Sequence, residues 1–420
     1  MEKKINFLQI NASDTRWGAS IEAYRLHKAF QEEGYGSHIL CGIKDSQDMH
    51  CSQIIPWHYG YLPNALIGKF FNFLGLQSLG YPSSFFLRRS ELIQDFADVV
   101  ILRNLHWWYF SIGVLPYLVA TKPVIWRLPD MWAVTGHCTY SYECQRWKAS
   151  CGKCPHLFEY PELFFDTTHF LWKRKKRIYE KLKGKLVFVS PSLWLKKIVE
   201  ESWLTKGFRC ELIPTAVETD VFRPLDKGDA RMRFGLSGKE KVILFSAFNI
   251  NEKRKGIYVL PHVLARAVKE IKSPLVLMLA GKGDKINGFP QNLKILNSGF
   301  LKDDSSLAAL YSASDVYLSL STADNLPNTL VEAHSCGLPI VTLDSGGCKE
   351  VIEEGESGYA VNDAASAADA LISILNDRVK QSRFSTNARL IAQNRFSMGR
   401  QVRSFVSLSE NLCRKTIDER

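Results

Sequence analysis

Short apolar runs alternate with amphipathic stretches throughout the first half of the chain. The first run is at residues 5–11, and residues 18–36 after it place Leu26 and Phe30 on one helical face before two glycines end the helix. Four further apolar runs follow, at residues 37–43, 98–104, 122–128 and 185–190. Continuous apolar runs of this length are typical of strands that are buried on both faces of a parallel sheet.

The second half repeats the alternation of strands and helices. Helical stretches are predicted near residues 256–270, 303–314 and 328–336, between strand candidates at residues 241–248, 275–281, 293–300, 315–321 and 338–345. We therefore predict an α/β fold in which two doubly wound, Rossmann-like domains follow one another. The predicted domains span residues 1–215 and 216–395, and a C-terminal helix at residues 396–420 is expected to pack back on the first domain.

The charge of the chain narrows the choice of partners. A formal net charge of +11 on 420 residues suits a nucleic acid, an anionic membrane surface or a phosphorylated substrate. The basic residues are dispersed, apart from residues 172–177 and 251–256, and they are not interleaved with aromatics as in single-strand binding platforms, so we expect no nucleic acid. No apolar run reaches about 20 residues and the N-terminus resembles no secretory signal. A cytoplasmic protein is expected, with peripheral contact to the inner face of the membrane as an option.

Three places in the second half carry candidate binding chemistry. At one of them, Gly346-Gly347 permits a close approach of the backbone after a strand, and a tight turn alone is the alternative. Arg254 and Lys255 follow a strand and open a predicted helix, where cations and free N–H groups together form an anion site; a solvated basic turn is the alternative. Asp324 and Glu332 bracket the loop between a later strand and its helix. Their carboxylates can accept hydrogen bonds from the vicinal hydroxyls of a sugar, and the loop amides can bind a phosphate. The alternative is that both acids only stabilise the helix dipole.

Several motifs together resemble glycosyltransferase family 4, a family of retaining enzymes with the GT-B fold. Residues 324–361 are similar to the donor-binding region of that family, and residues 14–30 are similar to its first glycine-containing loop and helix. Residues 189–195 and 213–224 resemble its middle motifs. Residues 130–155 resemble a cysteine-rich segment of a bacterial polysaccharide-type branch. The resemblance covers most of the chain.

The resemblance implies two Rossmann-like domains facing a cleft and a transferase with a nucleotide-diphosphate sugar as donor. The implied acceptor is a glycan or a lipid-linked glycan, in the synthesis of a bacterial surface polysaccharide. In the family pattern Glu332 binds the ribose, Asp324 faces the sugar hydroxyls and Lys255 contacts the diphosphate. The other implied donor-binding positions are Gly18, Arg254, Asn328 and Thr329. Basic groups replace a metal ion in this chemistry, so no catalytic metal is expected.

One departure from the family pattern affects the predicted catalytic residues. Pro129 replaces the histidine that usually lies beside the transferring sugar, directly before the predicted catalytic Asp130. Two other histidines, His106 and His137, are candidates to fill its place. The alternative is a catalytically impaired protein that still binds nucleotide sugars. A sugar phosphorylase or sugar-phosphate synthase with the GT-B fold is a further alternative.

Two further departures concern the predicted phosphate contacts. Ile250 stands where the family usually has an arginine, five positions before Lys255, and Arg254 is expected to substitute for it. The usual glycine pair of the first loop is Trp17-Gly18 here.

Residues 59–89 do not fit the alternation of strands and helices, because they are aromatic and apolar and carry few charges. We interpret this segment as a helical insertion packed on the first domain. The alternative is a flap that binds the acceptor or touches a membrane, since a large exposed apolar patch is unusual on a soluble monomer.

The loop at residues 128–157 is rich in cysteine. It contains Cys138, Cys144, Cys151 and Cys154. The Cys-x-x-Cys pair is half of a typical structural zinc site, and His137 and His156 are spare ligands. We predict a structural zinc ion that holds this loop on the acceptor side; disulfides and unpaired thiols are the alternatives.

Overall fold

The computed structural model describes residues 4–55, 61–79, 81–106, 109–283 and 287–418. The chain forms two compact units. Unit 1 consists of Met1–Ile213 together with Gln401–Arg420, and unit 2 consists of Pro214–Arg400. Each unit is built on one parallel β-sheet with Rossmann-like topology, so the predicted α/β fold class is confirmed.

The sheet of unit 1 has seven strands in the order β3-β2-β1-β4-β5-β6-β7, and all neighbouring strands are parallel. The strands are β1 Asn6–Ser13, β2 Gly36–Ile43, β3 Cys51–Gln53, β4 Val99–Leu102, β5 Val124–Arg127, β6 Leu186–Ser190 and β7 Arg209–Leu212. The chain leaves β1 toward one edge and returns on the other side of β1 as β4. The carboxyl ends of β1 and β4 therefore form a topological switch point, where open sheets bind ligands.

In the described part of unit 1, six α-helices come before β7 along the chain. They are α1 Gly18–Glu32, α2 Tyr61–Phe73, α3 Ser83–Arg88, α4 Leu115–Thr121, α5 Thr168–Glu180 and α6 Leu193–Glu201. The apolar face of α1 packs on the sheet, where the Phe30 ring stacks on Phe7 with centroids 4.0 Å apart. The same helix carries the buried Glu22, which forms ion pairs with Arg103 and Arg127.

The segment interpreted as an insertion contains α2 and α3. Its residues Tyr59, Gly60 and Gly80 lie outside the described residues. Toward the end of α2 the Phe73 ring is exposed and contacts Phe164 and Phe165 at centroid distances of 5.5 and 6.0 Å. Aromatic side chains from two distant parts of the chain thus meet at the surface of unit 1.

The sheet of unit 2 has six parallel strands in the order β10-β9-β8-β11-β12-β13. The strands are β8 Lys241–Asn249, β9 Leu275–Lys282, β10 Lys294–Asn297, β11 Val316–Ser319, β12 Ile340–Leu343 and β13 Gly358–Val361. The helices are α7 Lys227–Arg233, α8 Leu260–Glu270, α9 Asp304–Ala313, α10 Asn328–Ser335, α11 Ala364–Leu375 and α12 Arg378–Arg395. The topological switch point of this sheet lies between β8 and β11.

The last helix, α13, spans Met398–Asp418, and from Gln401 onward it belongs to unit 1. Gln401 Nε2 donates a hydrogen bond to Glu22 Oε1 at 3.1 Å, which anchors α13 to α1. Among the helices of the described residues, none is long and apolar enough to cross a membrane.

One helix begins later than the sequence predicts. The pattern predicted a helix that Arg254 and Lys255 open at residue 256, but α8 begins at Leu260. The two cations lie in a short 3₁₀ turn, Lys253–Lys255, which Gly256 ends with a φ of 76°. Pro261 then occupies the start of α8, where its fixed φ suits the first helical turn. The predicted helix N-terminus therefore does not lie beside the two cations.

Candidate active site

Two strand-to-helix connections of unit 2 meet at its switch point. Asp324 follows β11 and is buried, and its Oδ2 atom lies 2.5 Å from Lys255 Nζ and 3.1 Å from an Arg254 guanidinium nitrogen. Arg254 also donates to the carbonyl of Ala323 at 2.7 Å. The two cations predicted to bind a diphosphate are thus paired with the carboxylate predicted to face the sugar.

Electrostatics keep this carboxylate ionised. Burial alone would raise the pKa of Asp324, but the charges of Lys255 and Arg254 lower it to about 2. Glu252 also pairs with Arg254, with its Oε1 atom 2.7 Å from a guanidinium nitrogen, so the cluster holds two cations and two carboxylates. Such a cluster can exchange its internal carboxylate for the oxygens of a phosphorylated ligand.

Two glycines allow these connections to approach one another closely. A Cβ atom on Gly256 would lie 2.0 Å from the carbonyl oxygen of Leu320, and one on Gly346 would lie 1.8 Å from that of Asp324. Both glycines have positive φ, which side chains with a Cβ rarely adopt. The Gly346-Gly347 turn after β12 therefore packs against the backbone of Asp324, and the Gly347 N–H donates to the Asp324 carbonyl at 3.1 Å.

Glu332 lies one turn inside α10 and is buried. Its Oε2 atom accepts a hydrogen bond from the Tyr311 hydroxyl at 2.8 Å. Burial and the Glu332 charge raise the pKa of Tyr311 well above its usual value, so this hydroxyl stays a donor. Asn328 and Thr329 form the first turn of α10, next to the loop that carries Asp324.

The hydroxyl of Tyr317 on β11 lies 3.0 Å from Ser246 Oγ. Burial, with smaller contributions from the charges of Glu332 and Asp324, raises the pKa of Tyr317 to about 12. Sequence reasoning missed Tyr311 and Tyr317 because buried tyrosines on a helix or strand carry no motif of their own.

In unit 1, the candidate histidines have different partners. His106 follows β4, and its Nε2 atom lies 2.9 Å from Asp130 Oδ2 at the end of the neighbouring β5. The second oxygen of Asp130 accepts the N–H of Trp132 at 2.8 Å. His137 instead lies in the cysteine-rich loop, with Nε2 at 3.3 Å from Cys154 Sγ. The structure therefore pairs His106, and not His137, with the predicted catalytic aspartate.

The second ring nitrogen of His106, Nδ1, takes no part in the contact with Asp130. Nδ1 is buried and has no hydrogen-bond partner among the described residues. The ring also packs edge-on against Tyr160, with centroids 5.3 Å apart. Asp130 and Tyr160 thus hold the ring in one orientation, and its Nδ1 atom can serve a ligand.

Gly18 is the first residue of α1, and a Cβ atom there would meet nothing within 4 Å. The loop before it is fixed by Asp14, whose carboxylate accepts the N–H groups of Asp45 and Ser46, both at 2.9 Å. These hydrogen bonds help to hold the pKa of Asp14 below its usual value against the opposing effect of burial. The loop is thus well ordered, with open space in front of Gly18.

The four loop cysteines line one pocket together with His137 and His156. All ten cysteines of the chain are free thiols. Cys151 Sγ accepts the N–H of Gly136 at 3.1 Å, and His137 Nδ1 lies 2.9 Å from the Pro161 carbonyl, which leaves Nε2 to face the pocket. A histidine anchored through one nitrogen is typical of metal ligands.

The donor set of this pocket suits zinc, but its atoms are not gathered around one point. Within the described ranges, no three of these ligand atoms lie within 4.8 Å of one another. Burial raises the pKa of Cys138 to about 12 and that of Cys151 to about 11, so both are protonated near neutral pH. An ion would have to displace these protons and draw the side chains inward.

Lys175 is a buried residue of this region that sequence reasoning missed. Its ammonium group donates to the carbonyls of Trp132 and Thr135, and burial lowers its pKa to about 7. It lies in the basic run at residues 172–177, and Leu171, Trp172, Lys175 and Tyr179 share the spacing of one helical face. That helical spacing is the sequence signal from which the burial of Lys175 could have been predicted.

Comparison with known proteins agrees with these features. The family described as "Glycosyl transferases group 1" matches residues 226–391. This match lies within unit 2, and the two Rossmann-like sheets have the GT-B fold.

Individual relatives cover the whole length of the chain. It is similar to the "Putative colanic acid biosynthesis glycosyl transferase WcaC" of Escherichia coli K12, with 25% identity over 97% of this chain and 100% of that protein. Among solved structures, sucrose-phosphate synthase from Thermosynechococcus elongatus superposes with a TM-score of 0.70 at 18% identity, covering 97% of this chain and 99% of that one. Anabaena HepE in complex with UDP-glucose superposes with a TM-score of 0.63 at 14% identity, covering 99% and 100%.

Proposed function

We propose that the protein is a retaining transferase that moves a sugar from a nucleotide-diphosphate donor to a glycan or lipid-linked acceptor in surface polysaccharide synthesis. The observation that carries the proposal is the cluster of Lys255, Arg254 and Asp324 at the switch point of unit 2. The similarity to the colanic acid biosynthesis glycosyl transferase WcaC supports polysaccharide synthesis, and the similarity to HepE in complex with UDP-glucose supports the donor class.

The chemistry follows from the charges of this cluster. Negative charge develops on the leaving diphosphate while the anomeric carbon becomes cation-like. Lys255 and Arg254 leave Asp324 and stabilise the diphosphate, since cations close to a leaving group stabilise the negative charge that develops on it. Asp324 is then free to accept hydrogen bonds from the sugar hydroxyls, and Glu332 accepts those of the ribose.

Arg254 is proposed to replace the usual arginine of the family. Ile250, which stands at that position, is fully buried in the core. Arg254 reaches Asp324 from the following 3₁₀ turn, next to Lys255. The cationic charge of the site is therefore kept, although it comes from a different position of the chain.

The runner-up is a protein that binds nucleotide sugars without transferring them. The observation that favours it is Pro129 in place of the usual histidine. Against it, the contact between His106 and Asp130 supplies an imidazole at the end of the neighbouring strand. Binding without turnover of the donor would favour the runner-up.

The experiment that tests the main proposal compares two lysines of one turn. Lys255→Ala removes the cation that pairs with Asp324, and Lys253→Ala removes an exposed neighbour in the same turn. Calorimetry with a panel of UDP- and GDP-sugars identifies the donor that the unchanged protein binds. We expect Lys255→Ala to bind this donor with about 10–100-fold lower affinity, because hydrogen bonds to charged groups contribute about 1.5–3 kcal/mol. Lys253→Ala should bind like the unchanged protein. Equal binding by both variants would refute the assignment.

Two finer parts of the proposal concern unit 1. We propose that a zinc ion gathers the cysteines of the 128–157 loop, which is supported by the shared pocket and by the anchored His137. We also propose peripheral contact with an anionic membrane through the exposed aromatic side chains around Phe73. A lipid-linked acceptor would be presented at such a surface.

A further inference from the structure

A second group of potential metal ligands lies far from the cysteine-rich loop in the sequence. It consists of His27 on α1, Asp48 in the connection between β2 and β3, and Cys51 at the start of β3. One ligand atom of each residue lies within 4.8 Å of the other two. His27 and Cys51 are buried, with relative exposures of 0% and 2%. Among the described residues, this is the one group of three that meets this distance.

The orientation of His27 leaves one of its ring nitrogens available to a ligand. Its Nδ1 atom lies 2.8 Å from Ser37 Oγ, so that hydroxyl fixes the ring. Its Nε2 atom is buried without a hydrogen-bond partner among the described residues and lies 3.6 Å from Asp48 Oδ2, beyond hydrogen-bonding distance. A buried ring nitrogen without a hydrogen-bond partner is unfavourable. A cation placed between the two atoms would satisfy both.

We infer that His27, Asp48 and Cys51 bind a divalent ion of the zinc type. Imidazole nitrogen, thiolate sulfur and carboxylate oxygen together suit Zn²⁺ or Co²⁺, whereas Mg²⁺ and Ca²⁺ prefer oxygen ligands alone. Ser37 acts as the outer partner that orients the histidine, an arrangement typical of zinc sites. We call this group the α1–β3 site.

His50 supplies a fourth ligand within reach. Its Nδ1 atom lies 3.4 Å from Asp48 Oδ1, and its ring centroid is 6.4 Å from that of His27. The side chain is half-exposed, so it can turn toward an ion without disturbing the core. Two histidines, one aspartate and one cysteine would complete a tetrahedral set.

Binding of an ion would require Lys28, a charged neighbour of Asp48, to move. Lys28 Nζ lies 3.4 Å from Asp48 Oδ2 and 3.0 Å from Gln31 Oε1. Its side chain is 44% exposed, so the ammonium group can move to water and keep its contact with Gln31 when an ion arrives. The Tyr24 hydroxyl, 3.2 Å from the same oxygen, can remain as a donor to the coordinated carboxylate.

The site has a structural consequence for the loop that carries Gly18. Asp45 and Ser46, in the same connection as Asp48, donate their N–H groups to Asp14 of that loop. An ion that joins α1 to this connection would therefore tie down both ends of the β1–α1 loop. Its expected role is to order this loop, without taking part in the chemistry of transfer.

The test compares two buried cysteines on neighbouring strands in the full-length protein. Cys51→Ala removes a proposed ligand, and Cys41→Ala removes a buried thiol of β2 that is outside the group. Both variants keep the cysteines of the 128–157 loop, so any ion bound there is the same in both. The protein is stripped with a chelator and titrated with Co²⁺, and thiolate ligation is followed by visible absorption.

We expect Cys51→Ala to bind one Co²⁺ fewer per chain than Cys41→Ala. Asp48→Asn should weaken the binding of that ion by at least about tenfold, because even outer-shell changes at metal sites have effects of this size. Equal stoichiometry and affinity for Cys51→Ala and Cys41→Ala would overturn the proposal. Should Cys51→Ala not fold, Asp48→Asn decides the question, because unchanged cobalt binding by that variant would equally exclude the site.

Discussion

His106 and Asp130 lie beyond the ends of neighbouring strands, and under the proposed function their contact compensates for Pro129. In the family pattern the histidine comes directly before the aspartate. Here the imidazole comes from the end of β4, and the aspartate after β5 holds it at 2.9 Å. A residue that is lost from one connection can thus be replaced from the adjacent one, since parallel strands bring their carboxyl ends together.

His106→Ala is expected to lower the kcat of transfer by about 10–100-fold, since one hydrogen bond to a charged transition state contributes about 1.5–3 kcal/mol. Binding of the donor nucleotide should stay unchanged, because His106 is not among its proposed contacts. The measurement is kcat and KM with the donor found in the panel. His262→Ala, which removes an exposed histidine on α8, is the matched control. A His106→Ala variant with normal kcat would contradict the assignment.

The sequence was sufficient to predict which residues of unit 2 carry charge at the site, but not their pairing. Arg254, Lys255 and Asp324 stand out because they follow strands in polar loops. The pairing of Lys255 with Asp324 depends on how closely two connections approach, and the carbonyl contacts of Gly256 and Gly346 set that distance. The choice between His106 and His137 was equally open, because only the strand order brings His106 to Asp130.

At the scale of elements, the long apolar runs predicted most strands correctly. Several short elements were missed or misplaced. Three short strands, β3, β7 and β13, were missed, because none of them lies in a long continuous apolar run. The start of α8 was placed four residues too early, since a 3₁₀ turn and a helix have similar local sequences. Both kinds of error arise where tertiary contacts fix a short segment.

The cysteine-rich loop makes a prediction at this scale, because its long irregular course is costly to order without a cross-link. We expect the purified protein to contain zinc, and Cys151→Ser to lose about one equivalent and to melt at a lower temperature. Elemental analysis and thermal unfolding measure both quantities. Cys210→Ser, a buried thiol on β7 outside the loop, should keep its metal. Equal zinc content in the two variants would leave the loop without a metal role.

At the scale of the whole molecule, exposed aromatic and basic side chains occur together in unit 1. The aromatic patch consists of Phe70, Phe73, Phe164, Phe165 and Phe170, all about half-exposed. The last of these lies on α5, which also exposes Lys173, Lys176 and Arg177. Apolar groups beside cations suit the interface of an anionic bilayer, where each basic residue contributes about 1 kcal/mol.

We expect the protein to bind vesicles that contain phosphatidylglycerol and to bind phosphatidylcholine vesicles weakly. The double variant Phe164→Ser, Phe165→Ser should reduce binding by at least about tenfold, because each buried phenylalanine contributes about 1.5–3 kcal/mol. Vesicle sedimentation at low and high salt measures this. A control double variant, Val379→Ser with Leu390→Ser, removes exposed apolar groups from α12 of unit 2. Equal losses in both double variants would argue against a specific patch.

The contact of Asp324 with Lys255 and Arg254 has a further consequence for selectivity. The Asp324 carboxylate belongs to the chain and is always close to the two cations. An incoming anion must therefore interact with Lys255 and Arg254 more favourably than this carboxylate does. A ligand with a single weakly charged group gains little by this exchange, whereas a pyrophosphate bridge carries enough charge to complete it. Under the proposed function, the Asp324 carboxylate pairs with the cations again after the nucleotide product has left, which disfavours rebinding of the product. The empty protein would thereby be protected from inhibition by abundant small anions.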